Sequence, residues 1–231
     1  MLSIKAKTIR LQKPIVLSDN TTKRISFIKN KRLENLIIQE STLRKLAYKN
    51  TTIKTDESFF DDSDMQSDYY LIIVYDKKSN TPLLSARYYF DKSVIANCLK
   101  GDDNEIVLTD ILNLNNFKQG ELFLIDRMSG NKNNSVYRKN WGYIHLLFYI
   151  ELYIRNRHCT FLAMARKERF EKLLAKYLKL GLEAVGTVKH KGKEHWILTG
   201  DLKKSYLQMK KSTLLNTLLI WKNLLFKLRL N

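Results

Sequence analysis

Between residues 69 and 200 the chain alternates two kinds of segment, and their order leaves few folds open. YYLIIVYD (69 to 76) and PLLSARYYF (82 to 90) are rich in aromatic and aliphatic residues, and only KKSNT separates them. Such a pair reads as a β-hairpin. GELFLIDRMSG (120 to 130) reads as a third strand and VYRKNWGYIHLLFYIELYIRNR (136 to 157) as a long apolar helix. HCTFLAMA (158 to 165) reads as a strand covered on both faces. RKERFEKLLAKYLKLG is a helix that Gly181 is expected to close, and LEAVGTVKHKGKEHWILTGDL is a second hairpin. Two strands followed by β-α-β-α-β-β predict an α/β fold with a mixed, mostly antiparallel twisted sheet flanked by helices.

Three parts follow from this order. Residues 1–68 form a basic extension with a helix and an acidic loop. In the helix, over 31–48, Leu33, Leu36, Ile37, Leu43, Leu46 and Ala47 fall at helical spacing. The loop, ESFFDDSDMQSD, precedes the first hairpin. Residues 69–200 form the α/β core, in which 92–113 read as short helices and loop. Residues 201–231 carry an amphipathic basic helix. Leu214, Leu218, Trp221, Leu225 and Leu228 make its stripe, and Lys222, Lys227 and Arg229 interrupt it. Those charges and the short apolar length argue against a membrane span. Docking on the body or on a second subunit is the expectation for this helix, with peripheral membrane contact through 205–231 as the alternative.

The 231 residues, 44% of them hydrophobic, suffice for one sizeable core. A formal net charge of +18 is large for that length. Such a surface attracts nucleic acid, anionic lipid, a phosphorylated ligand or an acidic protein. Tyr88, Tyr89 and Phe90 beside Arg87 offer a stacking surface, but no helix-turn-helix or zinc spacing is present, so no nucleic acid is expected. The two cysteines, Cys98 and Cys159, lack metal spacing, and a reduced, cytoplasmic protein is expected. His145, His158, His190 and His195 form no ligand pattern either, and no Ser-His-Asp arrangement can be drawn. No metal is expected.

The chemistry is expected at the strand-loop-helix junction NKNNSVYRKNWGYIHLLF. A helix N-terminus presents backbone N–H groups and partial positive charge, Gly142 admits close approach, and Arg138 and Lys139 add charge. That is the physics of a pyrophosphate site. Here the sequence resembles the GNAT superfamily of N-acyltransferases, over about residues 70 to 200. LFLIDRMSG stands as their strand, Lys139-Asn140-Trp141-Gly142-Tyr143-Ile144 as their phosphate loop, and Tyr177-Leu-Lys-Leu-Gly181-Leu182 as their closing element. Lys139 stands where Arg or Gln is usual, and Ile144 where a small residue is usual.

A weaker resemblance is to the acyl-homoserine-lactone synthases and long-chain N-acyl amino acid synthases. It rests on Asp61-Asp-Ser-Asp64 ahead of the first hairpin, Arg87 within it, and Asp126-Arg127 in the next strand. The resemblances imply an acyl-CoA or acyl-acyl-carrier-protein donor, held at Arg138 through Ile144, and a small-molecule amine acceptor. They imply substrate contacts at Arg87, Arg127, Asp61 and Asp64. Tyr177 would protonate the departing thiolate, and Asp126 or Glu121 would accept the amine's proton. An acidic carrier protein would suit the positive charge. The rivals are an inactive module of the same fold that binds an acidic partner, and a nucleic-acid-binding protein.

Overall fold

The structure, a computed structural model, describes residues 3–11, 31–48, 68–100, 114–168, 171, 181–190 and 192–211. Its strands are β1 (Ile4–Leu11), β2 (Tyr69–Asp76), β3 (Thr81–Tyr89), β4 (Leu122–Gly130), β5 (Thr160–Arg166), β6 (Leu182–His190) and β7 (Lys193–Asp201). Its helices are α1 (Lys31–Tyr48), α2 (Lys92–Leu99), α3 (Ser135–Lys139) and α4 (Trp141–Arg155), with residues 202–211 also helical. The strands form one sheet in the order β1-β2-β3-β4-β5-β7-β6. β4 and β5 run parallel and every other neighbouring pair is antiparallel. This is the mixed, mostly antiparallel α/β architecture expected from the segment order.

Alternation along the strands sorts side chains between two layers. On one face Ile72, Val74, Ala86, Tyr88 and Phe123 pack against Ile144, Phe148 and Leu152 of α4. These three helical positions are spaced by four residues and are fully buried, each contributing about 2 kcal/mol. On the other face Tyr69, Leu71, Ile73 and Tyr89 pack against Leu36 and Ile37 of α1. Further along that face, Leu122, Leu124 and Leu162 meet Ile95 and Leu99 of α2. Asp91 caps α2 by accepting hydrogen bonds from the backbone N–H groups of Ser93 and Val94. That cap is why a helix begins where the sequence left only short helices and loop.

The N-terminal extension contributes to the sheet itself. β1 pairs along its whole length with β2, from Ile4↔Asp76 to Leu11↔Tyr69. α1 packs over β3 and β4.

One expectation is corrected. The long helix over 136–157 is two helices, broken at Asn140, whose backbone is non-helical (φ −118°, ψ 24°). Its amide Nδ2 donates to the Val136 carbonyl at 2.9 Å, and its own N–H donates to that oxygen at 3.1 Å. Asn competes in this way for backbone partners and ends α3. The closing hairpin is as expected, and Gly181, just before β6, has a φ of +71°, which only glycine adopts without strain.

Candidate functional site

The parallel pair in the sheet is short. β4 and β5 pair from Leu122↔Thr160 to Ile125↔Ala163. Beyond that point β4 continues beside β3 as far as Gly130, and β5 continues beside β7 as far as Arg166. Among the described residues the two strands therefore form a fork with its apex at Ile125 and Ala163. β4 carries an irregularity at the same place. Ser85 pairs with Ser129 and Arg87 with Asp126, so two steps along β3 match three along β4. This bulge holds Arg127 and Met128, and it brings Asp126 and Ser129 to one face although their odd separation would oppose them.

That face carries a buried cluster of charge. Arg87 is fully buried and donates through Nη2 to Asp126 Oδ2 at 2.7 Å. The Asp126 side chain is 17% exposed, so it opens the cluster toward solvent at the fork. The rings of Tyr69 and Tyr89 lie 5.6 and 5.7 Å from the Arg87 guanidinium carbon, within cation–π range. From α1, Glu40 Oε1 accepts from Ser85 Oγ at 2.9 Å and lies 3.3 Å from Arg44 Nε. Both α1 groups are buried. Two cations and two carboxylates thus share a low-dielectric pocket floor, which orders them and makes each costly to remove alone. Glu40, Arg44, Ser85 and Ser129 escaped the sequence reading. Glu40 and Arg44, four apart, look like a solvated helical pair. The available signal was phase: Glu40 shares a helix face with Leu36, Ile37 and Leu43.

The expected phosphate loop is a helix-helix junction. Asn134 caps α3, accepting from the N–H groups of Val136 at 2.8 Å and Tyr137 at 3.3 Å. Arg138 and Lys139 end α3 and are exposed, as is Tyr143 in the first turn of α4. Asn140 offers no side-chain cap to α4, so the N–H groups at that end keep their ligand-binding capacity. Trp141 stacks on His145 with ring centroids 4.3 Å apart, and the Tyr137 hydroxyl lies 3.5 Å from His145 Nε2. Burial pushes the Tyr137 hydroxyl up, with a hydrogen bond to Trp141 opposing. Ile144 points into the core, so the bulk at this position leaves the loop uncrowded.

The remaining expected residues are dispersed. Glu121 immediately precedes β4 and accepts from the Lys118 N–H at 2.7 Å. Five residues of strand rise put it roughly 16 Å from Asp126. Asp126 and Arg87 are brought together, and Glu121 is not part of that group. Arg127 lies in the bulge, and its side chain is outside the described residues, as are Asp61, Asp64 and Tyr177. Among the described residues no group of three or more His, Cys, Asp or Glu is placed to hold a metal ion. Among the same residues, no helix is long and apolar enough to cross a membrane.

The sequence matches no protein-family model, and no curated protein matches it. Solved structures do match. The CoA-dependent acyl-homoserine lactone synthase BjaI, solved with SAM and isopentyl-CoA, superposes with a TM-score of 0.57 at 11% identity, covering 79% of this chain and 84% of that one. The AHL synthase LasI gives 0.53 at 12% identity over 89% of this chain and 94% of its own. A second CoA-dependent synthase, MesI, gives 0.54 at 11% identity, covering 80% and 91%. At such identities the likeness is one of fold. The chain has the architecture of the GNAT-type N-acyltransferases, in the form taken by the acyl-homoserine-lactone synthases.

Proposed function

We propose that the chain is an N-acyltransferase that moves an acyl group from a thioester, on coenzyme A or acyl carrier protein, to a small-molecule amine. The observation that carries this reading is the fork between β4 and β5 with Asp126, paired to the buried Arg87, at its apex. The fork offers a slot for an extended donor arm. The cluster beside it offers a fixed polar seat for an acceptor.

The reaction is direct attack. The amine lone pair adds to the thioester carbonyl carbon, forming the C–N bond and placing negative charge on the oxygen. Backbone N–H groups of β4 past Ile125 lie beyond the pairing with β5 and stabilise that oxyanion. Collapse breaks the C–S bond. The proton lost by nitrogen passes to the Asp126 carboxylate, directly or through water, and Tyr177 supplies the thiolate's proton. Amine and thioester become amide and thiol, with no acyl-enzyme. Asp126 is the better-placed base, because Glu121 lies at the far end of the strand. The donor's phosphates meet the start of α4, where Arg138 and Lys139 supply charge. Lys132 adds a third exposed cation nearby in sequence, a basic surface suited to an acidic carrier protein.

Purified protein incubated with acyl-CoA or acyl-acyl-carrier-protein and pooled amines should give amide detectable by intact mass. Absence of amide with both donor types would refute the proposal. Tight donor binding without product would favour the inactive module of the same fold.

A further inference from the structure

The helix at 202–211 docks by one face. Leu202, Ser205 and Met209 are buried, and Tyr206 stacks on Tyr153 of α4 with ring centroids 4.8 Å apart. Leu207 points away and is 51% exposed. Lys203, Lys204, Lys210 and Lys211 are exposed as well. Beside this helix, on α4, Ile154 is 58% exposed and is followed by the exposed Arg155 and Arg157.

The phase of Leu207 is continued by the sequence that follows. Leu214, Leu218, Trp221, Leu225 and Leu228 all fall within about 60° of Leu207 when counted at 100° per residue. In the phase of the docked face the same count gives Ser212, Asn216, Ile220, Asn223 and Lys227, which are mostly polar. Leu215, Leu224 and Phe226 widen the apolar stripe from its sides. The stripe is thus out of register with the face that holds the helix to the body. It is also bordered by cations: Lys203, Lys204, Lys210, Lys211, Lys222 and Arg229 stand about 40–60° to either side of it.

We propose that residues 202–231 form an interfacial face that binds an anionic lipid bilayer. The apolar stripe enters the acyl boundary, and the flanking lysines extend their heads to the phosphates. Ile154, Arg155 and Arg157 extend the same chemistry onto the body. A second copy of the chain is the poorer occupant. It would bring the same lysine borders against these, like charge against like, whereas anionic headgroups satisfy both borders.

Vesicle co-sedimentation of the full chain tests this, with phosphatidylcholine vesicles and vesicles containing about a quarter phosphatidylglycerol. The anionic vesicles should bind at least about tenfold more tightly, less so in high salt. Leu207→Glu and Leu218→Glu should each weaken that binding about tenfold or more, with unchanged melting curves. Asn216→Glu adds the same charge in the docked phase and should keep affinity within about threefold. The proposal is overturned if the chain binds neither vesicle, if Leu207→Glu binds as tightly as wild type, or if Asn216→Glu loses as much as Leu218→Glu. It is also overturned if Leu218→Glu lowers the melting temperature, which would place the stripe against the body. Light scattering showing a dimer that Leu218→Glu dissolves would assign the stripe to a second copy and overturn it too.

Discussion

Replacing Gly130 with Ala tests the turn that carries the chain from β4 to the start of α4. A Cβ at Gly130 would lie 2.6 Å from Tyr137 Cζ and 3.2 Å from Cε2, with the hydroxyl closer still. Ordinary contact begins near 3.5 Å, so the ring must retreat by about 1 Å. It has little room, since Tyr137 is 7% exposed and its hydroxyl faces His145. Overpacking of this kind costs about 1–3 kcal/mol. Gly130 has no left-handed φ, so Ala also returns about 0.4–1 kcal/mol by restricting the unfolded chain. The net expectation is a loss of about 2 kcal/mol in urea unfolding followed by tryptophan fluorescence. Tyr137→Leu removes the atoms that clash. In that background Gly130→Ala should be neutral or stabilising by about 0.5 kcal/mol. A stabilising Gly130→Ala in the wild type, or a cost that persists in the Tyr137→Leu background, would refute the packing argument.

Three further outcomes are expected. Asp126→Asn should cost about 3 kcal/mol in urea unfolding, because it strands the buried Arg87 cation, while Arg87→Met with Asp126→Leu should be near neutral; a cost for the single variant below about 1 kcal/mol would speak against a buried pair. Asp91→Ala should remove about 1 kcal/mol of capping at neutral pH. The Ser93 hydroxyl is the main cause that holds the Asp91 carboxyl below its ordinary range, so the unfolded chain takes up the proton first as pH falls. The cap's contribution is therefore full above about pH 4 and fades below it, and the gap between wild type and variant should close with acid; a gap independent of pH would contradict this. Gly142→Val should weaken donor binding with a normal melting curve, and unchanged donor affinity would remove the phosphate assignment.

The segment order was legible because each core element repeats its own period. The β2–β3 hairpin needs only a short turn, and Gly181 marks the end of its helix by itself. β1 was not legible, since its strand character is realised by pairing with β2 more than sixty residues later. The break at Asn140 was hidden in a continuous apolar run, because one asparagine amide decided it. Arg87 and Asp126 were found through resemblance, but their contact depends on the β4 bulge, which no local pattern announces. Glu40 and Arg44 were missed because a charged i, i+4 pair reads the same whether it faces water or a sheet.

Amine-dependent thiol release from an acyl thioester, measured together with amide by mass, tests acyl transfer most directly. Direct attack at the fork predicts one amide per thiol released and almost no thiol without amine. Tyr177→Phe should slow both by at least about tenfold when chemistry limits the rate. Thiol released at the same rate without amine, or released with no matching amide, would contradict the account.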